Sequence, residues 1–418
     1  MPRDAPARRV AREPYHRDVR QLFRRRDRLD HRLDAGRLRG RHVRAVADAL
    51  AALHDGAEVC GDEAPAAPLA LAKRLRARAD KLEAQPSTAG AAADLERLLT
   101  EQQRFLVDAI ETLLQRAASG RVRRIHGRIG CRSVWVGAAR GVRFAKAEPG
   151  ARGDVAEDVA GLAIDLCARG APRLAEAFAA AYAWAADDYA LYRVMDGYAR
   201  DAALRMALAA ASRGKRDARG PEPATYLRAA LGAVHPAPLV IAIGGAVATG
   251  KSTLARAVSR RLAAPRVEAD RVRRTLLAPL PDGVAHRRLW EGDFAERVYR
   301  GMLRRAADVL AGGRPVVLDA CFPDARRRAK AAELAARHGA EFVFVHCDAR
   351  PEQVEARLAR RASRDGGLDG GWTAIARSVT EHWQTPSPGE VGRYLRIDTG
   401  RPRREWLAAL GLDAKARP

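Results

Sequence analysis

Lysine is scarce in this sequence: only Lys73, Lys81, Lys146, Lys215, Lys251, Lys330 and Lys415 among 75 basic residues. The rest are arginine, and alanine and glycine abound, a bias that a GC-rich coding sequence produces by itself. The net charge of +24 would attract nucleic acid, an anionic membrane surface or phosphorylated metabolites, but solvated helix faces account for most of it. Cysteines number five and are scattered without any C-x-x-C spacing, which excludes a disulfide framework and a cysteine zinc site. Aromatics are 5% and are not interleaved with the basic runs, so no stacking platform for single-stranded nucleic acid is legible. Long apolar runs are also missing. Leu174 to Ala186 is the most apolar helical stretch, and it is short, alanine-rich and interrupted by Glu176. The first twenty residues are polar and lack a signal-peptide core, so a soluble cytoplasmic protein is expected.

What is present is enough apolar residue, 47% of 418, for two domains. The first half reads as helices. Val43, Val46, Ala47, Leu50 and Leu53 recur at helical spacing, as do Leu106, Ala109, Ile110, Leu113 and Leu114. Between them Asp62 to Gly90, with three prolines, is expected as a broken helix with loops. Short β-like stretches, Ser133 to Val136 and Val142 to Phe144, precede a helical pattern from Val155 to Ala211. From Pro238 the texture changes to strand candidates (239–243, 315–319, 342–346, 394–397) separated by helices, the alternation of a parallel sheet covered on both faces. The expected division is a mainly helical domain over 1–223, a linker over 224–237 and an α/β domain over 238–418.

Gly245-Ala-Val-Ala-Thr-Gly250-Lys251-Ser252 fits G-x-x-x-x-G-K-[ST] without mismatch, after a strand and before a helix. Glycines let backbone N–H groups turn toward phosphates, and the helix that follows presents its positive end to them. Gly245, Ala246, Thr249, Gly250, Lys251, Ser252 and Thr253 are the expected nucleotide-binding set, with ATP and Mg²⁺ as cofactors. Lys251 reaches the β- and γ-phosphates and Ser252 ligates the metal.

Downstream, Arg266-Val-Glu-Ala-Asp270-Arg-Val-Arg273 reads as a short strand with Glu268 and Asp270 on one face. Asp270 is expected to take the acceptor's proton or to hold a metal-bound water beside Ser252, and Arg273 to grip an anionic group. Its competing reading is a helix cap. Arg314 to Asp319 reads as a second core strand ending in an acid at the ligand-binding edge, which makes Asp319 a catalytic candidate. A helix from Glu352 carries Arg357, Arg360, Arg361 and then Arg364, before a glycine-rich loop at 365–371. That is the build of a lid, with Arg360 and Arg361 as its phosphate-contacting candidates.

Together these residues resemble the small P-loop kinases that act on metabolites and nucleic-acid ends: gluconate and shikimate kinases, zeta-toxin-like kinases and phage-type polynucleotide 5′-hydroxyl kinase. The Asp270-x-x-Arg273 pair looks most like the last of these, and the resemblance implies Asp270 as general base and Arg273 on substrate. It covers about 238–399. His126-Gly-Arg128-Ile-Gly130-Cys-Arg-Ser133, followed by the helix from Val155, resembles the carboxy-terminal lobe of aminoglycoside-phosphotransferase-like proteins. A two-domain bacterial family joins such a lobe to a P-loop kinase in this order. The departures from it matter: the base position is Arg128, the second His is Gly130, the Asn is Ser133 and the later metal-binding Asp is Ala145. Arginine cannot accept a proton, so a catalytically inactive lobe is implied.

The expected activity is therefore ATP-dependent phosphorylation of a hydroxyl on a small-molecule acceptor. A polynucleotide 5′-hydroxyl kinase is the alternative, with nucleic acid not favoured as partner. An ATP-gated binding module without catalysis is a third reading.

Overall fold

A computed structural model describes residues 23–61, 67–85, 91–137, 141–212, 220–232, 237–280, 293–362, 381, 383–386, 389–390 and 392–412. The chain divides into two compact units, one of Met1–Ala186 and Val194–Gly232, the other of Asp187–Arg193 and Ala233–Pro418.

The first unit is built of α1 (Leu29–Asp34), α2 (Gly40–Asp55), α3 (Ala67–Glu83), α4 (Ala92–Asp108), α5 (Ile110–Ala118), α6 (Val155–Ala168), α7 (Pro172–Ala186), α8 (Met195–Ala211) and α9 (Pro223–Leu231). Two small antiparallel pairs interrupt them: β1 (Val122–Arg124) with β4 (Arg152–Asp154), and β2 (Val134–Gly137) with β3 (Gly141–Phe144). In α2 the expected period holds, with Val43, Val46, Ala47 and Leu50 buried along one stripe that packs on α7. Helix α6 is buried over most of its surface, with Asp158 and Asp165 buried among its apolar residues. Asp154 caps it, accepting the Ala156 N–H at 2.9 Å. The stretch expected as a broken helix contains the unbroken α3; Pro68 falls in its first turn, where no intrahelical N–H is needed. The short helix expected over Ala224 to Leu231, within the expected linker, is present as α9 and packs on α4, α6 and α8 inside the first unit.

In the second unit five strands lie in one sheet: β5 (Leu239–Gly244), β6 (Arg266–Glu268), β7 (Val316–Asp319), β8 (Glu341–Asp348) and β9 (Arg393–Asp398). Their order is β6-β7-β5-β8-β9 and every pairing is parallel. The crossovers are α10 (Lys251–Leu262), α11 (Ala269–Leu277), α12 (Phe294–Ala311), α13 (Ala325–Arg337) and α14 (Pro351–Ala362), and α15 (Arg403–Ala409) follows β9. One face of the sheet packs Ile241, Ile243, Val345 and Cys347 against Leu254 and Val258 of α10 and Trp406 of α15. The other packs against α12 and α13, so β5 is buried on both sides. Because every strand runs the same way, Gly244, Glu268 and Asp319 come to a single edge.

Asp187–Arg193, expected inside one helical run, breaks the chain between α7 and α8 and packs in this second unit. Asp187 adopts a left-handed φ of 48° and accepts from Arg305 Nε at 3.0 Å and Thr275 Oγ1 at 3.2 Å. Tyr189 is buried and donates its hydroxyl to the Arg266 carbonyl at 2.6 Å. No helix among the described residues is long and apolar enough to cross a membrane.

Candidate active site

The loop from Gly245 to Gly250 leaves β5 at the centre of the sheet, where neighbouring connections depart in opposite directions and open a crevice. Two of its glycines are required by geometry. Gly245 has a φ of 131°, and a Cβ there would lie 2.4 Å from the Cys347 carbonyl oxygen; Gly250 has a φ of 90°, and its Cβ would meet Thr399 Oγ1 at 2.8 Å. Ala248 also takes a left-handed φ, 64°, a strain of the kind held at ligand-gripping loops. The Ala246 carbonyl gathers the loop around itself, accepting from Thr249 Oγ1 at 2.8 Å and from Lys251 Nζ at 2.5 Å. Ser252 and Thr253 lie in the first turn of α10, whose amide end faces the loop. The loop glycines, the start of α10 and Lys251 together have the form of a phosphate cradle.

Ser252 Oγ donates to Asp319 Oδ1 at 3.3 Å, and Arg266 Nη1 reaches Asp319 Oδ2 at 2.8 Å and Glu268 at 3.2 Å. Burial pushes the Asp319 carboxyl above its usual range, against the opposing pull of Arg266 and Lys251. Glu268 is raised for the same first reason, with Asp319 and Asp270 adding to it. The expected metal pair was Ser252 with Asp270. The structure instead joins Ser252 to Asp319, which is the acid at the end of the strand next to β5. Among the described residues no cluster of three or more His, Cys, Asp or Glu forms a metal cage, so a metal here would depend on phosphate and water oxygens as well.

Asp270 does not share a strand face with Glu268, as the sequence pattern suggested. Strand β6 ends at Glu268, and Asp270 stands in the first turn of α11, a position that favours an acid. One turn on, Arg273 pairs with it; both side chains are about one-third exposed. The helix carrying the lid arginines is present as α14. Arg357 is drawn inward, donating to the Ala248 carbonyl (3.1 Å), Thr399 Oγ1 (3.1 Å) and the Thr399 carbonyl (3.2 Å). These bonds tie it to the phosphate loop and to the end of β9. Arg360 is exposed; the Arg361 side chain, Arg364 and the glycine-rich loop lie outside the described residues. Arg266 and Thr399 were missed. An arginine at the start of a strand and a threonine after one carry no local signal, because their partners are 53 and 150 positions away.

In the first unit the His126 loop is held by two buried carboxylates of α6. Asp158 accepts the His126 and Gly127 N–H groups at 2.7 and 2.9 Å, and Asp165 accepts the Cys131 N–H at 2.7 Å. Arg128, at the expected base position, is exposed and ion-paired to Glu148 at 3.0 Å.

Residues 240–371 match the family model described as an AAA domain. An uncharacterized protein of Mycobacterium tuberculosis and another of Mycobacterium bovis are each 30% identical over 257 residues, 60% of this chain. The chain spans about half the length of these curated relatives, 50% in each case. Among solved structures, the APS kinase of M. tuberculosis in complex with AMPPNP and APS is 24% identical, covering 42% of this chain and 98% of its own, with a TM-score of 0.31. A gluconokinase from Sinorhizobium meliloti is 20% identical, covering 42% and 91%, with a TM-score of 0.31. The second unit has an α/β fold, with the phosphate-loop motif on a parallel sheet and helices on both faces.

Proposed function

We propose that the chain is an ATP- and Mg²⁺-dependent kinase that phosphorylates a hydroxyl group of a small molecule through its second unit. The observation that carries this reading is the meeting of the Ser252 hydroxyl and the Asp319 carboxylate beside Lys251. A bound Mg²⁺ would supply neutralisation of phosphate charge there. Lys251, released from the Ala246 carbonyl, would hold the β- and γ-phosphates, and the loop amides would orient them. Asp270 would accept the hydroxyl proton as the acceptor oxygen bonds to the γ-phosphorus and ADP leaves. Arg273 would hold an anionic part of the acceptor, sharing itself with Asp270.

The helical unit is assigned no catalysis. Its resemblance to a phosphotransferase lobe is supported by the clamping of the His126 loop by Asp158. Arg128 in place of a base speaks for a lobe without chemistry.

Lys251→Ala and Asp270→Asn test the reading. The first is expected to abolish ATP binding in calorimetry; the second is expected to keep it and to lose turnover on an alcohol, sugar and nucleoside panel. Turnover that survives Asp270→Asn would remove Asp270 as the base. Wild-type protein that binds ATP and phosphorylates nothing on the panel would count against the kinase.

A further inference from the structure

On the helical unit, α1, the turn after it and the start of α2 border a shallow hollow of about 590 Å³ that is open to solvent. Arg32, Arg37, Arg39, Arg41, His42 and Arg44 line it, with no acid in the lining among the described residues. Backbone carbonyls hold two of these guanidinium groups in position. Arg39 Nη1 donates to the carbonyls of Gly36 and Leu38 at 2.5 and 2.9 Å, and Arg32 Nη2 donates to the Val136 carbonyl at 2.7 Å. Asp27 lies 3.0 Å from Arg32, and Asp48 interacts electrostatically with Arg44; Arg32 Nε is buried without a hydrogen-bond partner. Gly40 leaves room for Arg44 beside it, since a Cβ there would lie 3.2 Å from Arg44 Nη1. His42 Nδ1 accepts the Arg39 N–H at 3.0 Å, and burial together with Arg32, Arg41 and Arg39 holds its pKa below the ordinary value. The first turn of α2 lacks the acid that a helix start favours, so the like charges converge on an already positive end.

We infer that this hollow binds a small, multiply phosphorylated molecule carrying three or more negative charges on closely spaced phosphates. Its volume lies in the range of about 300–1,000 Å³ common to small-molecule sites. Guanidinium forks match phosphate oxygens two at a time, and converging forks favour several phosphates over one. A single-stranded nucleic acid would also want a stacking surface, and none of the lining residues is a phenylalanine, tyrosine or tryptophan. The site belongs to the helical unit and stands whether or not the second unit is a kinase.

The test uses the full chain carrying Lys251→Ala, so that the phosphate loop is disabled, titrated with sodium tripolyphosphate by calorimetry. One site is expected. Adding Arg37→Ala with Arg41→Ala, both exposed positions, should weaken binding at least tenfold while circular dichroism and Tm stay unchanged. The same pair of changes at exposed Arg403 and Arg404 should leave it alone. No binding to the Lys251→Ala protein, equal binding to the Arg37/Arg41 variant, or equal weakening by the Arg403/Arg404 variant would each overturn the inference. So would a single-stranded RNA 20-mer that binds the hollow more tightly than tripolyphosphate and is lost with the same two arginines.

Discussion

The Ser252 hydroxyl lies 3.3 Å from Asp319, a contact between residues 67 positions apart that the parallel pairing of β7 with β5 brings together. A metal-binding role for this pair makes a direct prediction. Asp319→Asn should lower kcat roughly 10²-fold or more and raise the Mg²⁺ concentration needed for half-maximal rate. Steady-state assays across a magnesium series check it; an unchanged magnesium dependence would reassign Asp319 to structure.

Arg266 is the counter-charge of that acid, with side-chain exposures of 11% and 2% for the two partners. Removing one partner of a buried pair leaves the other uncompensated. Arg266→Ala should therefore cost about 3 kcal/mol in urea unfolding. The double variant with Asp319→Asn should cost less than the two singles together, because the stranded carboxylate is gone.

Gly250→Ala should reduce ATP affinity and stability together. A left-handed φ costs an alanine about 1–2 kcal/mol, and the contact with Thr399 Oγ1 adds to it. Nucleotide-induced stabilisation in a thermal melt reads both effects, and a melt shift equal to that of wild type would contradict the close packing of Thr399 on the loop.

Burial lowers the His126 pKa from the usual 6.5, against the opposing pull of Asp158 and the Ala145 carbonyl, which lies 3.1 Å from its Nε2. A group whose pKa is depressed on folding contributes stability above its unfolded value and loses it as the pH falls through the folded one. The Tm of the helical unit should accordingly drop on acidification below about 6.5, and His126→Gln should flatten that limb. A calorimetric pH series from 7.5 down to about 5 is the measurement.

Asp187 and Tyr189 make the sheet unit depend on a segment far upstream. A fragment starting at residue 238 should melt below the corresponding unit in the full chain. Tyr189→Phe in the full chain should cost about 1 kcal/mol through the lost bond to the Arg266 carbonyl. Equal melting of fragment and full chain would mean that the segment merely rests there.

The phosphate loop was legible because its contacts are local. Gly245, Gly250, Lys251 and Ser252 fall within eight consecutive residues, and the backbone conformation they need is encoded by glycine itself. The central strands β5 and β7 were legible for a related reason, since burial on both faces leaves apolar runs such as Leu239–Gly244 and Val316–Leu318. The same local logic failed at Asp270, because two residues after a strand can extend it or open a helix, and the packing of α11 on α12 selects the helix.

Sequence by itself determined that this protein carries a phosphate-binding loop on a parallel sheet, since residue type and spacing suffice for both. Only tertiary structure decided which acid stands beside Ser252, which arginine braces the loop and which chain segment completes the second unit. Asp319, Arg357 and Asp187 reach their partners across 67, 109 and 118 positions, respectively, and distances of that length are set by crossovers and docking, not by any neighbouring residue.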